Sequence, residues 1–193
     1  MRSVCVYCGS SDKTNGEYLK AAREMGRSLA EEGLELVYGA GSTGLMGALA
    51  DSMLEAGGKV TGVIPGYFNT PQLAHSGLTR LEVVETIQQR KARMAELADG
   101  FIALPGGFGT LEELFEILTW AQIGLHSKPI GLLNAHRYFD PLLALIEHIR
   151  AEGFIYEEHR RLFTYADTPE SLLEKMENHH SPGGLERWLN RDE

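Results

Sequence analysis

The chain has 193 residues, the size of one domain, and 43% of them are hydrophobic, enough for one sizeable core. Its formal net charge is −9, with Lys and Arg dispersed and no run of like charges. That balance argues against nucleic acid as a partner but leaves room for a small phosphorylated ligand, which needs only a local positive site.

The pattern predicts a buried strand over 3–7 and a helix over 17–32 closed by Gly33, then a strand over 34–38. A helix over 45–56 stops at Gly57-Gly58, and a strand over 60–64 ends at Pro65-Gly66. A loop runs from Gly66 to about Gly77. It leads to a short strand over 81–84, a helix over 86–98 and a strand over 101–104. A glycine-rich turn then opens a helix over 110–123. A strand over 129–133, a helix over 139–152 and segments 162–165 and 169–177 complete the pattern. Strands alternating with helices predict an α/β, Rossmann-like single domain: a parallel sheet with helices on both faces. The near-continuous apolar strands agree, because such strands are buried on both sides. The domain is expected to span 1–178, with 179–193 a loosely packed tail.

The two cysteines, Cys5 and Cys8, have C-x-x-C spacing. A redox motif of that kind belongs at a strand-to-helix junction, whereas Cys5 lies mid-strand and residues i and i+3 of a strand face opposite ways. Two reduced, mostly buried thiols are expected. No further Cys or His stands at ligand spacing, so no metal is expected. With no signal peptide and no stretch long enough to span a bilayer, the expected compartment is the cytoplasm and no membrane partner is expected.

In a parallel sheet, ligands bind beyond the carboxyl ends of the strands. Those ends carry Cys8-Gly9-Ser10-Ser11, the turn from Gly39 to Gly44, and Pro105-Gly106-Gly107-Phe108-Gly109-Thr110. The Gly39 turn satisfies G-x-G-x-x-G between a strand and a helix. A dinucleotide site also wants a carboxylate at the end of the next strand, where this chain has Ile64-Pro65-Gly66. In the third turn the glycines permit close backbone approach, and the helix that Thr110 is expected to begin would offer free N–H groups to an anion. It lacks the Lys of a nucleoside-triphosphate loop.

Thr110-Leu111-Glu112-Glu113 also fits a capping box, so Glu113 could simply cap the helix. The helical wheel points the other way. Glu112, Glu116 and Thr119 share a polar stripe, while Glu113 heads a stripe with Ile117 and Trp120. The helix over 86–98 has a matching anomaly. Its apolar stripe of Ile87, Met94, Leu97 and Ala98 is interrupted by Arg90 and Lys91. The two cations either snorkel to water or face a pocket and meet a phosphate or Glu113.

The segment 105–113 matches P-G-G-x-G-T-x-x-E, and Gln89-Arg90-Lys91-Ala92-Arg93-Met94 precedes it at the expected distance. Together these resemble the Lonely guy (LOG) family, the cytokinin riboside 5′-monophosphate phosphoribohydrolases, from the Cys8-Gly9-Ser10 turn to Lys128-Pro129. The resemblance implies a Rossmann-like fold, a homodimer and hydrolysis without an organic cofactor. It implies Glu113 and Arg90 as the catalytic pair. It also implies a nucleotide site that includes Gln72, Arg90, Lys91, Gly107, Phe108, Gly109, Thr110, Leu111, Glu112, Glu113 and Thr119. Two positions depart from the family pattern. Ile87-Gln88 stands where Met-His is usual, and Gln72 stands where Glu is frequent. The family's older description as possible lysine decarboxylases has no counterpart here in a lysine set for pyridoxal phosphate. The competing expectation is a nucleotide-binding regulator in which Glu113 is only a cap.

Overall fold

A computed structural model describes residues 1–183 and 185. Most of the tail expected from 179 onward therefore lies outside the described residues. Seven strands form one parallel sheet: β1 (Ser3–Tyr7), β2 (Glu35–Tyr38), β3 (Val60–Pro65), β4 (Arg80–Val84), β5 (Gly100–Ala103), β6 (Ile130–Leu133) and β7 (Thr164–Ala166). The helices are α1 (Gly16–Glu31), α2 (Gly44–Glu55), α3 (Ile87–Leu97), α4 (Phe108–Gln122), α5 (Asp140–Ala151) and α6 (Pro169–Glu177). None of them is long and apolar enough to cross a membrane.

Side chains alternate across each strand, so the sheet sorts its apolar residues into two cores. Val4 and Val6 of β1 face one core with α1, α2 and α6. Cys5 and Tyr7 face the other, with α3, α4 and residues of α5. Both thiols are free and buried, and burial holds each well above the ordinary thiol pKa. They stay protonated and are poor nucleophiles.

The sheet order is β4-β3-β2-β1-β5-β6-β7. From β1 the chain winds outward through β2, β3 and β4, then returns to β5 and winds the other way. The switch point falls between β1 and β5, where a doubly wound sheet leaves a crevice at the carboxyl ends. The turns after these strands are stitched together there. Gly9 N–H donates to the Pro105 carbonyl at 3.1 Å, and Leu104 N–H donates to that of Tyr7 at 2.9 Å. The Gly39 turn joins them, because Leu45 N–H and the Thr43 hydroxyl donate to the Gly9 and Ser10 carbonyls at 2.9 and 2.8 Å.

Three expectations need correction. Edge strand β4 is not buried on both faces: Leu81 and Val83, two residues apart and so on one side, are exposed. The segment expected over 162–165 joins the sheet only from Thr164 and runs to Ala166, because residues Glu157–Arg161 wind into a 3-10 turn just before it. Helix α4 begins at Phe108 rather than Thr110, with Gly107 as its N-cap. Leu111 N–H closes the first turn on the Gly107 carbonyl at 3.1 Å. Thr110 thus sits within the first turn of the helix, three residues past the N-cap and buried against Gly106, where a Cβ would come within 2.1 Å of its hydroxyl oxygen. Glu113 lies beyond the reach of a cap, and the Thr110–Glu113 capping box does not form. A capping box does form at α3. Gln89 N–H donates to the Thr86 hydroxyl at 3.1 Å, while the Gln89 side-chain oxygen accepts from Thr86 N–H at 3.3 Å.

Candidate active site

A cleft of about 660 Å³ opens at the switch point. Tyr7, Cys8 and Gly9 line it from the β1 side, and residues Pro105 to Thr110 from the β5 side. Met46 of α2 and Met94 of α3 add apolar wall. Of the residues singled out from sequence, Arg90, Gly107, Phe108, Gly109, Thr110 and Glu113 line this cleft.

Side chains reaching from α3 and α4 bring Arg90 and Glu113 together. The Arg90 Nη2 and Glu113 Oε1 atoms are 4.0 Å apart, and the side chains are only 15% and 13% exposed. The pair is close enough for charge attraction but too long for a hydrogen bond. Burial pushes the Glu113 carboxyl up to about 7; the Arg90 charge opposes this, and the nearby Glu112 carboxylate adds to it. The Arg90 Nε is also a buried donor without a partner, the single such side-chain atom among the described residues. A buried donor left open is costly, and at a cleft it fits an acceptor supplied from outside the chain.

The G-x-G-x-x-G turn explains how Arg90 is accommodated. A Cβ on Gly39 would lie 1.4 Å from Arg90 Nη2. The guanidinium occupies the space a side chain at position 39 would take, so glycine lets Arg90 hold this position. This role leaves no mark in a motif that reads equally well as a dinucleotide fingerprint. Sequence places Gly39 at the ligand edge of the sheet, but only the three-dimensional contact ties it to Arg90.

The start of α4 completes the site. No side chain caps it, and the first N–H groups of a helix have no partner within the helix. The helix dipole adds partial positive charge at that end. At Gly107 and Gly109 an added Cβ would meet no atom within 4 Å, and neither has a left-handed backbone. Nothing in the chain itself requires these two glycines to be small.

The remaining residues singled out from sequence lie outside the lining of the cleft. Lys91 turns to the neighbouring carboxylates, pairing with Glu112 and with Glu116 at 3.0 Å. Burial works against its charge, but the two carboxylates outweigh this and hold its pKa above the ordinary value. Leu111 packs into the core beneath α4. The Thr119 hydroxyl donates to the Phe115 carbonyl at 2.7 Å. Gln72 is exposed in the loop after β3, its carbonyl 3.5 Å from the Ser42 hydroxyl. Tyr138, unnoticed from sequence, lines the cleft, and its hydroxyl donates to the Gly106 carbonyl.

A doubly wound sheet with a buried carboxylate, an arginine and an uncapped helix N-terminus at its switch point defines a Rossmann-like protein whose cleft has the chemistry to receive an anion. Residues 46–176 match a family model described as possible lysine decarboxylase. A cytokinin riboside 5′-monophosphate phosphoribohydrolase of Rhodococcoides fascians is 54% identical over 155 residues, covering 80% of this chain and 78% of that protein. The rice (Oryza sativa subsp. japonica) protein LOG, of the same description, is 46% identical over 178 residues, covering 92% and 74%. The chain belongs to this family, the LOG family of phosphoribohydrolases. Among solved structures, a molybdenum cofactor binding protein of Rippkaea orientalis superposes with a TM-score of 0.70 at 21% identity, covering 92% of this chain and 97% of that one. The molybdenum cofactor carrier protein of Chlamydomonas reinhardtii also gives 0.70 at 21%, covering 91% and 96%. At that identity the likeness concerns the fold alone.

Proposed function

We propose that this chain hydrolyses the N-glycosidic bond of an adenosine-type nucleoside 5′-monophosphate, an N6-substituted cytokinin riboside monophosphate or AMP, releasing free base and ribose 5-phosphate. The observation that carries the reading is the buried Glu113 carboxylate beside Arg90, whose Nε is unpartnered, in the same cleft as the open N-terminus of α4.

Breaking the bond from ribose C1′ to the base develops positive charge on the sugar. A carboxylate in a water-poor site stabilises that charge strongly and can take a proton from the attacking water. Glu113 has this role. With a pKa of about 7 it is basic enough to accept the proton and still ionised in neutral to alkaline solution. Arg90 orients Glu113 and donates to the substrate through its open Nε. The N–H groups from Gly107 to Thr110 hold the 5′-phosphate, and the open space over Gly107 and Gly109 lets it approach the backbone.

A homodimer acting in the cytoplasm belongs to the same reading. Phe108, Phe115 and Ile123 leave an exposed apolar stripe along α4, and Phe108 is 94% exposed.

The test is incubation of the purified protein with AMP and with N6-isopentenyl-AMP, following free base by chromatography. Base should appear with at least one of them and vanish in Glu113→Gln. Full activity in that variant would remove Glu113 from the mechanism, and no base from either substrate would overturn the reading.

A further inference from the structure

We infer that Tyr138 is a positioning residue for the phosphate: its hydroxyl locks the Gly106–Gly107 peptide so that the turn into α4 offers its N–H groups to the cleft in one orientation. The identity of the ligand rests on the function proposed above; the lock itself rests on geometry.

The peptide in question lies between two glycines, where neither neighbour has a Cβ to restrict rotation. Because the bond is planar and trans, the Gly107 N–H points opposite to the Gly106 carbonyl, so holding one fixes the other. On one side the turn is confined by packing. A Cβ on Gly106 would lie 2.8 Å from Gly9 N as well as against Thr110. On the carbonyl side the hold comes from the Tyr138 hydroxyl.

The chain goes to some length to deliver that hydroxyl. His136 and Arg137 are consecutive non-glycine residues with φ of 52° and 61°. Such backbone is strained and persists only where surrounding contacts over-determine it. Those contacts are present. Asn134 is buried, its N–H donates to the Ala166 carbonyl at 2.8 Å, and its side-chain oxygen accepts from Phe139 N–H at 2.7 Å. Its amide donates to Asp140 at 2.9 Å, and Asp140 also accepts from Arg137 Nε at 2.6 Å. The Tyr138 ring is held edge-on against Tyr18 and Phe139, with centroids 5.6 and 5.1 Å away. A strained, braced turn that ends on a carbonyl of the anion-facing loop fits positioning better than filling, since the ring itself is partly exposed to the cleft.

Tyr138→Phe removes the hydroxyl and keeps the ring. Calorimetry should show binding of AMP and of ribose 5-phosphate weakened about ten-fold, the scale of one hydrogen bond, with adenosine changed less than about two-fold. In turnover, KM should rise about ten-fold and kcat should fall by less than about three-fold. Relaxation dispersion should reveal new microsecond-to-millisecond exchange at the amides of Gly106, Gly107 and Gly109. Equal weakening of adenosine and AMP would overturn the proposal, as would an absence of new exchange at these amides. New exchange in a chain whose wild type binds none of these ligands would uphold the lock and overturn the proposed function instead.

Discussion

Two cations of α3, adjacent in sequence, pair with carboxylates of α4 in opposite ways. Lys91 meets two carboxylates, and the site is saturated. Arg90 faces a single carboxylate 4.0 Å away, with one donor left open in a buried position. The first arrangement is what a stable fold favours; the second is what a fold tolerates where a ligand finishes the set. Both cations are largely buried, so burial alone does not separate them; the unpartnered donor does.

The largest effect should come from Glu113→Gln, which keeps shape and removes charge. Base release should drop on the order of a thousand-fold, the scale of a lost general base, as measured by single-turnover kinetics. The same variant should be more stable than the parent in alkaline solution. The folded chain retains the Glu113 proton up to about pH 7, whereas the unfolded chain releases it near 4.5. Folding therefore loses stability as the pH rises through that window, by up to about 3 kcal/mol, and glutamine removes the loss. Urea melts of both proteins at pH 5 and pH 8 test the sign: the gap should open at pH 8 and close at pH 5. By the same protonation, kcat should rise about ten-fold per pH unit below about 7 and level off above it.

A smaller effect should couple the two pairs. Lys91 lowers the Glu113 pKa, while Glu112 and Glu116 raise it. Lys91→Met should therefore move the rising limb of the rate profile to higher pH, and Glu112→Gln should move it lower. A limb that stays fixed in both would mean that the pairs are electrically independent. The smallest effect concerns the turn before Tyr138. His136→Gly relieves a left-handed backbone and gives up an exposed contact with Glu17 at 3.6 Å and an edge-on contact with the Tyr18 ring, centroids 5.7 Å apart. Part of the gain is offset by the freedom glycine adds to the unfolded chain, so the stability gain should stay under about 1 kcal/mol by thermal melting.

Strand alternation and the glycine and proline stops made the sheet and its two helical layers legible in the sequence, because burial on both faces writes itself as unbroken apolar runs. The edge strand broke that rule, because the face of β4 that carries Leu81 and Val83 is left exposed at the margin of the sheet. The unusual character of Glu113 was also readable, since a carboxylate heading a stripe with Ile117 and Trp120 conflicts with the helical period. The start of α4 was misread because Thr110 through Glu113 satisfies a local rule while a contact with Gly106 decides the matter. Tyr138 left no trace at all. Left-handed backbone at His136 and Arg137 depends on a brace from Asn134 and Asp140, and the hydroxyl's partner lies 32 residues away.

The berth of Arg90 is made from a missing carbon at Gly39. The two positions come from different crossovers of the sheet, yet neither is free to drift while the other is kept. A methyl group at position 39 would push the guanidinium out of this seat and crowd the Met46 tip, 2.9 Å away, so any larger residue there shifts Arg90 relative to Glu113.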